Sequence, residues 1–265
     1  MVIKSMNKRR GIFLISCLCI LLFVINYNFL DSSLENFLEE SQTVIVNRII
    51  DGDTIVVEND THVRMLGINT PEKKENYHDE AMKFLNKLLL NKTVRLEYGQ
   101  DKIDKYERTL AFVFLDGKNI NIEQVRNGFA NVYILDDKEY EIELRNAWKE
   151  CIQSNKNLCE KSKDECANCI ELTELNVKEQ KVILANKCSF ECDLTNWEIK
   201  DEGRKKFIFE KFILEENKEV EILVGNKTNT KEILFWNEKD YVWTATGDTI
   251  FLRDSDDKLV FWEKV

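Results

Sequence analysis

Short runs in which apolar and polar residues alternate recur along most of this chain, with turn residues between them. Residues 43–50 and 54–57 alternate on either side of Asp51-Gly52, and a third run covers residues 62–68. A period of two places alternate side chains on opposite faces of a strand, and Asp-Gly favours a tight turn between strands. This part of the chain therefore predicts a β-meander.

Helical spacing interrupts the strand pattern at three places. Apolar residues recur at intervals of three and four in residues 79–90, and residues 121–127 and 140–152 also have a helical pattern. Two further strand-like runs, residues 94–98 and 109–115, complete the set. Five strands with a few helices fit a β-barrel of the OB type, so the predicted fold class is mainly β with α.

The chain after residue 170 has only strand-like runs. Polar turns separate these β-rich runs, which cover residues 182–185, 197–199, 220–224, 233–236 and 249–252. Short strands at regular spacing, without intervening helices, predict a β-sandwich. The stretch before it, residues 156–169, is polar and rich in cysteine, and we interpret it as a linker.

The first 41 residues have the pattern of a membrane segment. Four basic residues precede an uncharged run at residues 11–30, and an acidic stretch follows it. About 20 helical residues span a bilayer core, and positive charge before the span places residues 1–10 in the cytoplasm. We expect a transmembrane signal-anchor at 11–30, a stalk at 31–41 and an extracellular remainder. The alternatives are a cleaved signal peptide, which would leave a secreted protein, and a core helix.

The cysteines and the net charge constrain the environment of the protein. Six of the 8 cysteines crowd into a short stretch: Cys151, Cys159, Cys166, Cys169, Cys188 and Cys192. An even number outside the membrane predicts disulfides, although four of them could hold zinc as thiolates. The net charge of -10 argues against a protein that holds nucleic acid through a broad basic surface. Arginines and a divalent cation can still create a local positive site.

Four fragments carry residue types suited to phosphodiester chemistry, and they occur in a fixed order. They are Asp51-Gly52-Asp53-Thr54, then Arg64, then Asn69-Thr70-Pro71-Glu72, then Asp104-Lys105-Tyr106-Glu107-Arg108. This set, continued by Val-Arg-Asn-Gly-Phe-Ala at residues 125–130, resembles the thermonuclease (staphylococcal nuclease) family. The resemblance predicts a nuclease domain at residues 42–155.

The resemblance also implies an activity and a role for each residue. The family members are Ca²⁺-dependent endonucleases that hydrolyse DNA and RNA with little sequence preference and leave 3′-phosphate ends. Calcium prefers oxygen ligands, and here they would be Asp53, Asn69 and the Thr70 backbone carbonyl. Glu72 is the expected general base. Arg64 and Arg108 would clamp the phosphate, because a guanidinium matches two phosphate oxygens.

Two positions depart from the family pattern. Asn69 stands where the family usually has aspartate, so we expect weaker metal affinity. Glu107 stands where the family often has glycine, and its carboxylate could repel a substrate phosphate. A catalytically inactive scaffold that binds nucleic acid or protein is therefore kept as an alternative, as is an adhesion protein in which the C-terminal region is the functional part.

Three C-terminal fragments resemble the lamin-tail domain family. They lie at residues 174–176, 194–201 and 247–252, and the match covers residues 170–265. The resemblance implies an immunoglobulin-like sandwich that acts as a non-catalytic binding or targeting module. Its ligand could be nucleic acid, protein or an envelope polymer.

Overall fold

The computed structural model of the protein describes residues 41–134, 138–244 and 248–264. The membrane segment expected at residues 11–30 lies outside these ranges. Among the described residues, no helix combines the length and the apolar character needed to cross a membrane. The anchor, the cytoplasmic tail and the domain boundaries remain predictions.

The N-terminal domain is built on an antiparallel sheet that closes on itself. Its strands follow the order β3-β2-β1-β5-β6-β7, with these bounds: β1 Ser41–Ile49, β2 Thr54–Val57, β3 Thr61–Met65, β5 Thr93–Ile103, β6 Thr109–Leu115 and β7 Lys118–Asn119. Strand β3 also pairs in parallel with β6, Arg64 opposite Leu110, which completes a ring of five strands. This closed five-stranded barrel fits the predicted OB-type architecture.

Three α-helices of the described chain surround the barrel. They are α1 His78–Leu89, α2 Ile120–Arg126 and α3 Glu141–Ser154, each within two residues of its predicted position. Helix α1 buries Ala81, Leu85 and Leu89, whose spacing of four places them on one face. Two short strands, β4 Ile68–Asn69 and β8 Asn131–Val132, pair beside the barrel.

The cysteine-rich linker is held by three disulfides. Cys151–Cys159 joins helix α3 to a 3₁₀ turn at Asn157–Cys159. Cys166–Cys192 and Cys169–Cys188 join a second turn, Glu165–Asn168, to the following domain. The structure thus pairs these six cysteines as disulfides rather than placing four of them as zinc ligands. Such cross-links typically contribute about 2–4 kcal/mol each by restricting the unfolded chain.

The C-terminal domain consists of two four-stranded sheets and a short strand pair. The sheets have the orders β16-β15-β10-β9 and β13-β12-β17-β18, and the pair is β11-β14. The strand bounds are β9 Ile170–Asn176, β10 Lys181–Asn186, β11 Cys192–Asp193, β12 Glu198–Lys200, β13 Lys206–Ile208, β14 Ile213–Leu214, β15 Glu219–Val224, β16 Ile233–Trp236, β17 Thr249–Arg253 and β18 Leu259–Lys264. Residues of both sheets, with Trp197, form one hydrophobic core.

An aromatic seam joins the two domains. Trp148 of helix α3 meets Phe251 and Trp262 edge to face, with ring centroids 5.6 and 6.2 Å apart. Phe251 and Leu259 belong to the core of the barrel rather than to that of their own domain. Buried Arg253 also donates a hydrogen bond to the carbonyl of Leu158 at 2.8 Å. Residues of the C-terminal domain thus complete the core of the N-terminal domain.

Candidate active site

The turn between β1 and β2 is held in place by contacts that require glycine at its centre. A Cβ atom on Gly52 would lie 2.8 Å from the Cβ of Ala81 and 2.8 Å from Cγ2 of Thr70. The Gly52 carbonyl accepts a hydrogen bond of 2.6 Å from buried Gln124. The turn is thereby pressed against helix α1 and against Thr70.

Replacing Gly52 with alanine should therefore disturb Thr70 and destabilise the protein. Overpacking of this kind costs about 1–3 kcal/mol, which urea denaturation would measure, and the DNA cleavage expected from the sequence should fall with it. Gly117→Ala is the control, since a Cβ there meets nothing within 4 Å. That variant bears only the strain of a positive φ and should keep its activity. Wild-type stability and activity in Gly52→Ala would contradict the expected crowding.

Three of the residues predicted from the sequence meet at this turn. The buried carboxylate of Asp53 accepts a hydrogen bond from the Thr70 backbone N–H at 3.1 Å and pairs with Nη2 of Arg64 at 3.0 Å. Its other oxygen accepts from the Thr54 hydroxyl at 3.0 Å. Arg64 is also buried and donates to the carbonyls of Met65 and Ile68. These bonds fix both charged groups in one orientation.

Asp51, which the sequence argument did not select, adds a second carboxylate. Its Oδ1 accepts a hydrogen bond from the Asp53 N–H at 3.1 Å. Burial, together with the nearby charge of Asp53, raises the pKa of Asp51 to about 6. In the sequence, the Asp51-Gly52-Asp53 motif already indicated that two carboxylates lie at this turn. The two carboxylates offer oxygen donors of the kind that suits a hard divalent cation, and the Thr70 carbonyl as a further ligand remains a prediction.

Asn69 lies beside this cluster, and both the oxygen and the nitrogen of its side-chain amide form contacts. Its Oδ1 is 3.4 Å from Nη2 of Arg64, and its Nδ2 donates a hydrogen bond of 2.6 Å to the carbonyl of Gly203 in the C-terminal domain. The amide thus bridges the buried arginine and the second domain. Its role as a metal ligand remains a prediction.

Glu72 follows Thr70 by two residues and remains half-exposed. Its backbone N–H donates to Oε2 of Glu75 at 2.8 Å, and its carboxylate pairs with Nε of Arg204 at 2.7 Å. Pro71, the only proline of the chain, fixes φ between Thr70 and Glu72. Its carbonyl lies 2.9 Å from Nδ1 of His78. The predicted base thus lies two residues after Thr70, and its side chain is open to solvent.

Arg108 is carried by the turn between β5 and β6. Asp104 holds its guanidinium, with Oδ2 2.8 Å from Nε and 2.7 Å from Nη2. Glu107 has a φ of +64°, a left-handed conformation that favours the glycine of the family, and its side chain is exposed. The β3–β6 pairing sets Val63 opposite Thr109, so this turn adjoins the strand that carries Arg64.

A hairpin loop of the C-terminal domain completes the surroundings, and the sequence argument did not select it as part of the site. It connects β12 to β13 and contains Asp201, Glu202, Gly203 and Arg204. One oxygen of the Glu202 carboxylate accepts a hydrogen bond from the Ile134 N–H at 3.2 Å, and the other accepts from the Thr249 hydroxyl at 2.9 Å. Burial, with the charge of Asp248 adding to it, raises the pKa of Glu202 to about 7.

This raised pKa predicts a pH dependence of stability. The Glu202 carboxyl binds its proton more tightly in the folded state than in the unfolded chain. It therefore contributes to the free energy of unfolding below about pH 4.5, and this contribution is lost as pH rises through about 7. Glu202→Gln should stabilise the protein at pH 8 by on the order of 1–3 kcal/mol and reduce the difference between pH 5 and 8. The measurement is the thermal unfolding midpoint at both pH values.

Other charged groups near Glu202 also affect the pH dependence of stability. Burial and then Asp248 raise the pKa of Asp201 to about 7 as well, while Arg145 lowers that of Glu202. Both Asp201 and Asp248 keep a pH dependence in the variant, so the expected change is a reduction rather than a loss. Exposed Glu210→Gln is the control. An unchanged pH profile in Glu202→Gln would contradict the assignment.

Comparison with known proteins agrees with these observations. The family model described as Staphylococcal nuclease homologue matches residues 62–161, and the Lamin Tail Domain model matches residues 167–264. Thermonuclease of Staphylococcus intermedius is 38% identical over 131 residues, 45% of this chain and 77% of that protein. Thermonuclease of Staphylococcus hyicus is 36% identical over 140 residues, 49% and 82% respectively. Endonuclease YncB of Bacillus subtilis is 40% identical over 100 residues, 34% and 47%.

The barrel, its site and these matches together define a hydrolytic nuclease, that is, a phosphodiesterase. The chain belongs to the staphylococcal nuclease family, and a lamin tail domain follows its nuclease domain. The predicted enzyme class and both predicted families are thereby confirmed.

Proposed function

We propose that this protein is a Ca²⁺-dependent endonuclease that hydrolyses DNA and RNA with little sequence preference. By family resemblance it cleaves the bond between phosphorus and the 5′ oxygen and leaves 3′-phosphate ends. The observation that carries the proposal is the convergence of Asp53, Arg64 and Thr70, with Glu72 two residues further on.

The metal site is proposed from the chemistry of its donors. Asp53, Asp51 and the Thr70 carbonyl would hold calcium, and Asn69 would add a neutral oxygen in place of the family's aspartate. When bound, the ion would supply positive charge against the phosphate oxygens. The charge of Asp53, which adds to burial in raising the pKa of half-buried Asp51, supports a cation there, since neighbouring carboxylates repel each other.

The remaining steps use side chains of the protein itself. A carboxylate oxygen of Glu72 takes the proton from the attacking water. Arg108 donates hydrogen bonds to the phosphate oxygens, where negative charge increases in the transition state. Arg64 would join it once substrate and cation replace part of its present contacts with Asp53 and the carbonyls of Met65 and Ile68. Asp104 orients the Arg108 fork through two short contacts, so this donor is placed before the substrate arrives.

The C-terminal domain and the location belong to the same proposal. We place the catalytic domain outside the cell membrane, tethered by residues 11–30, with a secreted form after signal cleavage as the alternative. Three disulfides support an oxidising compartment. The lamin tail domain, an immunoglobulin-like sandwich in this proposal, would bind a protein or envelope ligand.

The activity is tested with protein that begins at Ser41 and retains the rest of the chain. Single-stranded DNA and RNA are digested with Ca²⁺, Mn²⁺, Mg²⁺ or a chelator, and the product ends are analysed for 3′-phosphate. We expect cleavage with Ca²⁺, its loss in the Asp53→Asn variant, and its retention in Asp60→Asn, whose side chain is 82% exposed. A folded protein that cleaves with none of the three metals would favour the inactive binding scaffold.

The location is tested separately with the full chain. Membranes are washed with alkaline carbonate, and intact cells are treated with protease. An anchored protein stays with the membrane and its nuclease domain is digested from outside. A protein found only in the medium favours signal cleavage, and a protein protected inside the cell overturns the proposed topology.

A further inference from the structure

A loop of the lamin tail domain reaches the residue that we propose as the general base. The loop is residues 201–205, between β12 and β13, and we name it the tail loop. Its ends are tied together, since the Lys205 N–H donates to Oδ1 of Asp201 at 2.9 Å and the Asp201 N–H donates to the Lys205 carbonyl at 3.1 Å. A closed hairpin of this kind restricts the backbone from which the Arg204 side chain extends.

The side chain of Glu72 is held directly by this loop. Nε of Arg204 lies 2.7 Å from Oε1 of Glu72, and the two side chains are 59% and 48% exposed. An exposed ion pair contributes little to stability, about 0–1 kcal/mol, so the fold should tolerate its removal and an effect on activity can be measured separately. Its exposure also leaves the carboxylate accessible to water and to a polynucleotide.

The backbone of Glu72 is held by the same domain through Glu75. Oε2 of Glu75 accepts the Glu72 N–H at 2.8 Å. Lys200 and Lys206, which flank the tail loop, pair with the Glu75 carboxylate at 3.4 and 3.1 Å. Burial acts to raise the pKa of Glu75, but the two lysines and the Glu72 N–H hold it below its ordinary value. The side chain of Glu72 thus contacts the tail loop directly, and its backbone is bonded to Glu75, which two lysines of the tail domain hold.

Two hydrogen bonds fasten the tail loop to the barrel beside the carboxylate cluster. Nδ2 of Asn69 donates to the Gly203 carbonyl at 2.6 Å, and the Ile134 N–H donates to Glu202 at 3.2 Å. An ionised aspartate at position 69 would have no proton to give to Gly203. The asparagine that departs from the family pattern is therefore the residue type that this contact between domains requires.

We propose that Arg204 is a positioning residue of the nuclease, supplied by the lamin tail domain to orient the Glu72 carboxylate. This inference rests on the proposed role of Glu72 as the base. Proton transfer depends on the direction of the carboxylate as well as on its presence, and a fixed guanidinium restricts that direction. The tail domain is thereby part of the catalytic unit.

A double-mutant cycle tests the proposal with the protein from Ser41 to its C-terminus. In Ca²⁺ and single-stranded DNA, Arg204→Gln should lower kcat about fivefold or more with KM changed less than about twofold, because an interaction made through the base affects the chemical step. In a Glu72→Gln background the same change should have no further effect. Arg204→Lys should restore part of the lost rate.

Arg48→Gln is the matched control, because Arg48 is also 59% exposed and pairs with a carboxylate, that of Asp60. It should leave kcat unchanged. An equal effect of Arg204→Gln with and without Glu72 overturns the proposal, as does a rise in kcat, which would mean that the contact restrains the base. A wild-type protein without activity, or one insensitive to Glu72→Gln, counts against the proposed function instead.

Discussion

Replacing Glu72 with alanine should slow DNA hydrolysis by a factor of 100 or more and leave the fold intact. The loss follows from the removal of a general base, a contribution of about 10²–10⁴ in rate. The fold should tolerate the change because the Glu72 side chain is half-exposed and its ion pair with Arg204 is open to solvent. Initial rates on single-stranded DNA and a urea unfolding curve measure the two expectations.

Glu143→Ala provides the control for Glu72→Ala. Glu143 is an exposed carboxylate on helix α3 and should change neither quantity. Full activity in Glu72→Ala would contradict the proposed role of Glu72 as the base. A variant that lost its fold instead would show that the contacts around Glu75 depend on the ion pair.

Arg64→Ala should be the most destabilising single change at the site. It leaves the Asp53 carboxylate buried without its partner, and it removes the donors to the carbonyls of Met65 and Ile68. Breaking a buried ion pair from one side costs about 3–5 kcal/mol. The urea midpoint should fall accordingly, and activity should be lost with the phosphate contact.

Arg64→Lys separates the structural from the catalytic part of this effect. Lysine keeps the charge but not the planar fork, so we expect partial stability with a much lower rate. Arg145→Ala is the control, since it removes a guanidinium that is 19% exposed and pairs with Glu141 on the same helix. Wild-type stability in Arg64→Ala would show that Asp53 is neutral or solvated, contrary to the contacts described.

Much of the fold follows from local pattern, because the barrel strands and the three helices have clear periods. Strand β9 was not predicted as an element, since its residues are mostly polar and only Ile170 is fully buried. Strand β13 has three residues and one buried side chain. Such strands are specified by their pairing partners rather than by their own alternation, so the sequence alone does not mark them.

Some residues of the candidate site could be predicted from local sequence motifs, and others are related only by the fold. Asp53, Arg64 and Thr70 lie in short motifs, and the structure brings them together, with Glu72 two residues further along the chain. Arg204 could not be found in this way, because it follows Glu72 by more than a hundred residues and lies in a different domain. Only the folded arrangement relates Asn69 to Gly203, and that contact gives a reason for a residue that the family pattern leaves unexplained.

The aromatic seam around Trp148 limits which tail domains could replace the present one by recombination. Because Phe251 and Trp262 complete the interior of the nuclease domain, a lamin tail exchanged with that of another protein would have to bring matching aromatic residues. A recombination event at the cysteine-rich linker would otherwise leave an open hydrophobic surface on the enzyme. We therefore expect the two halves of this protein to be inherited together as one module.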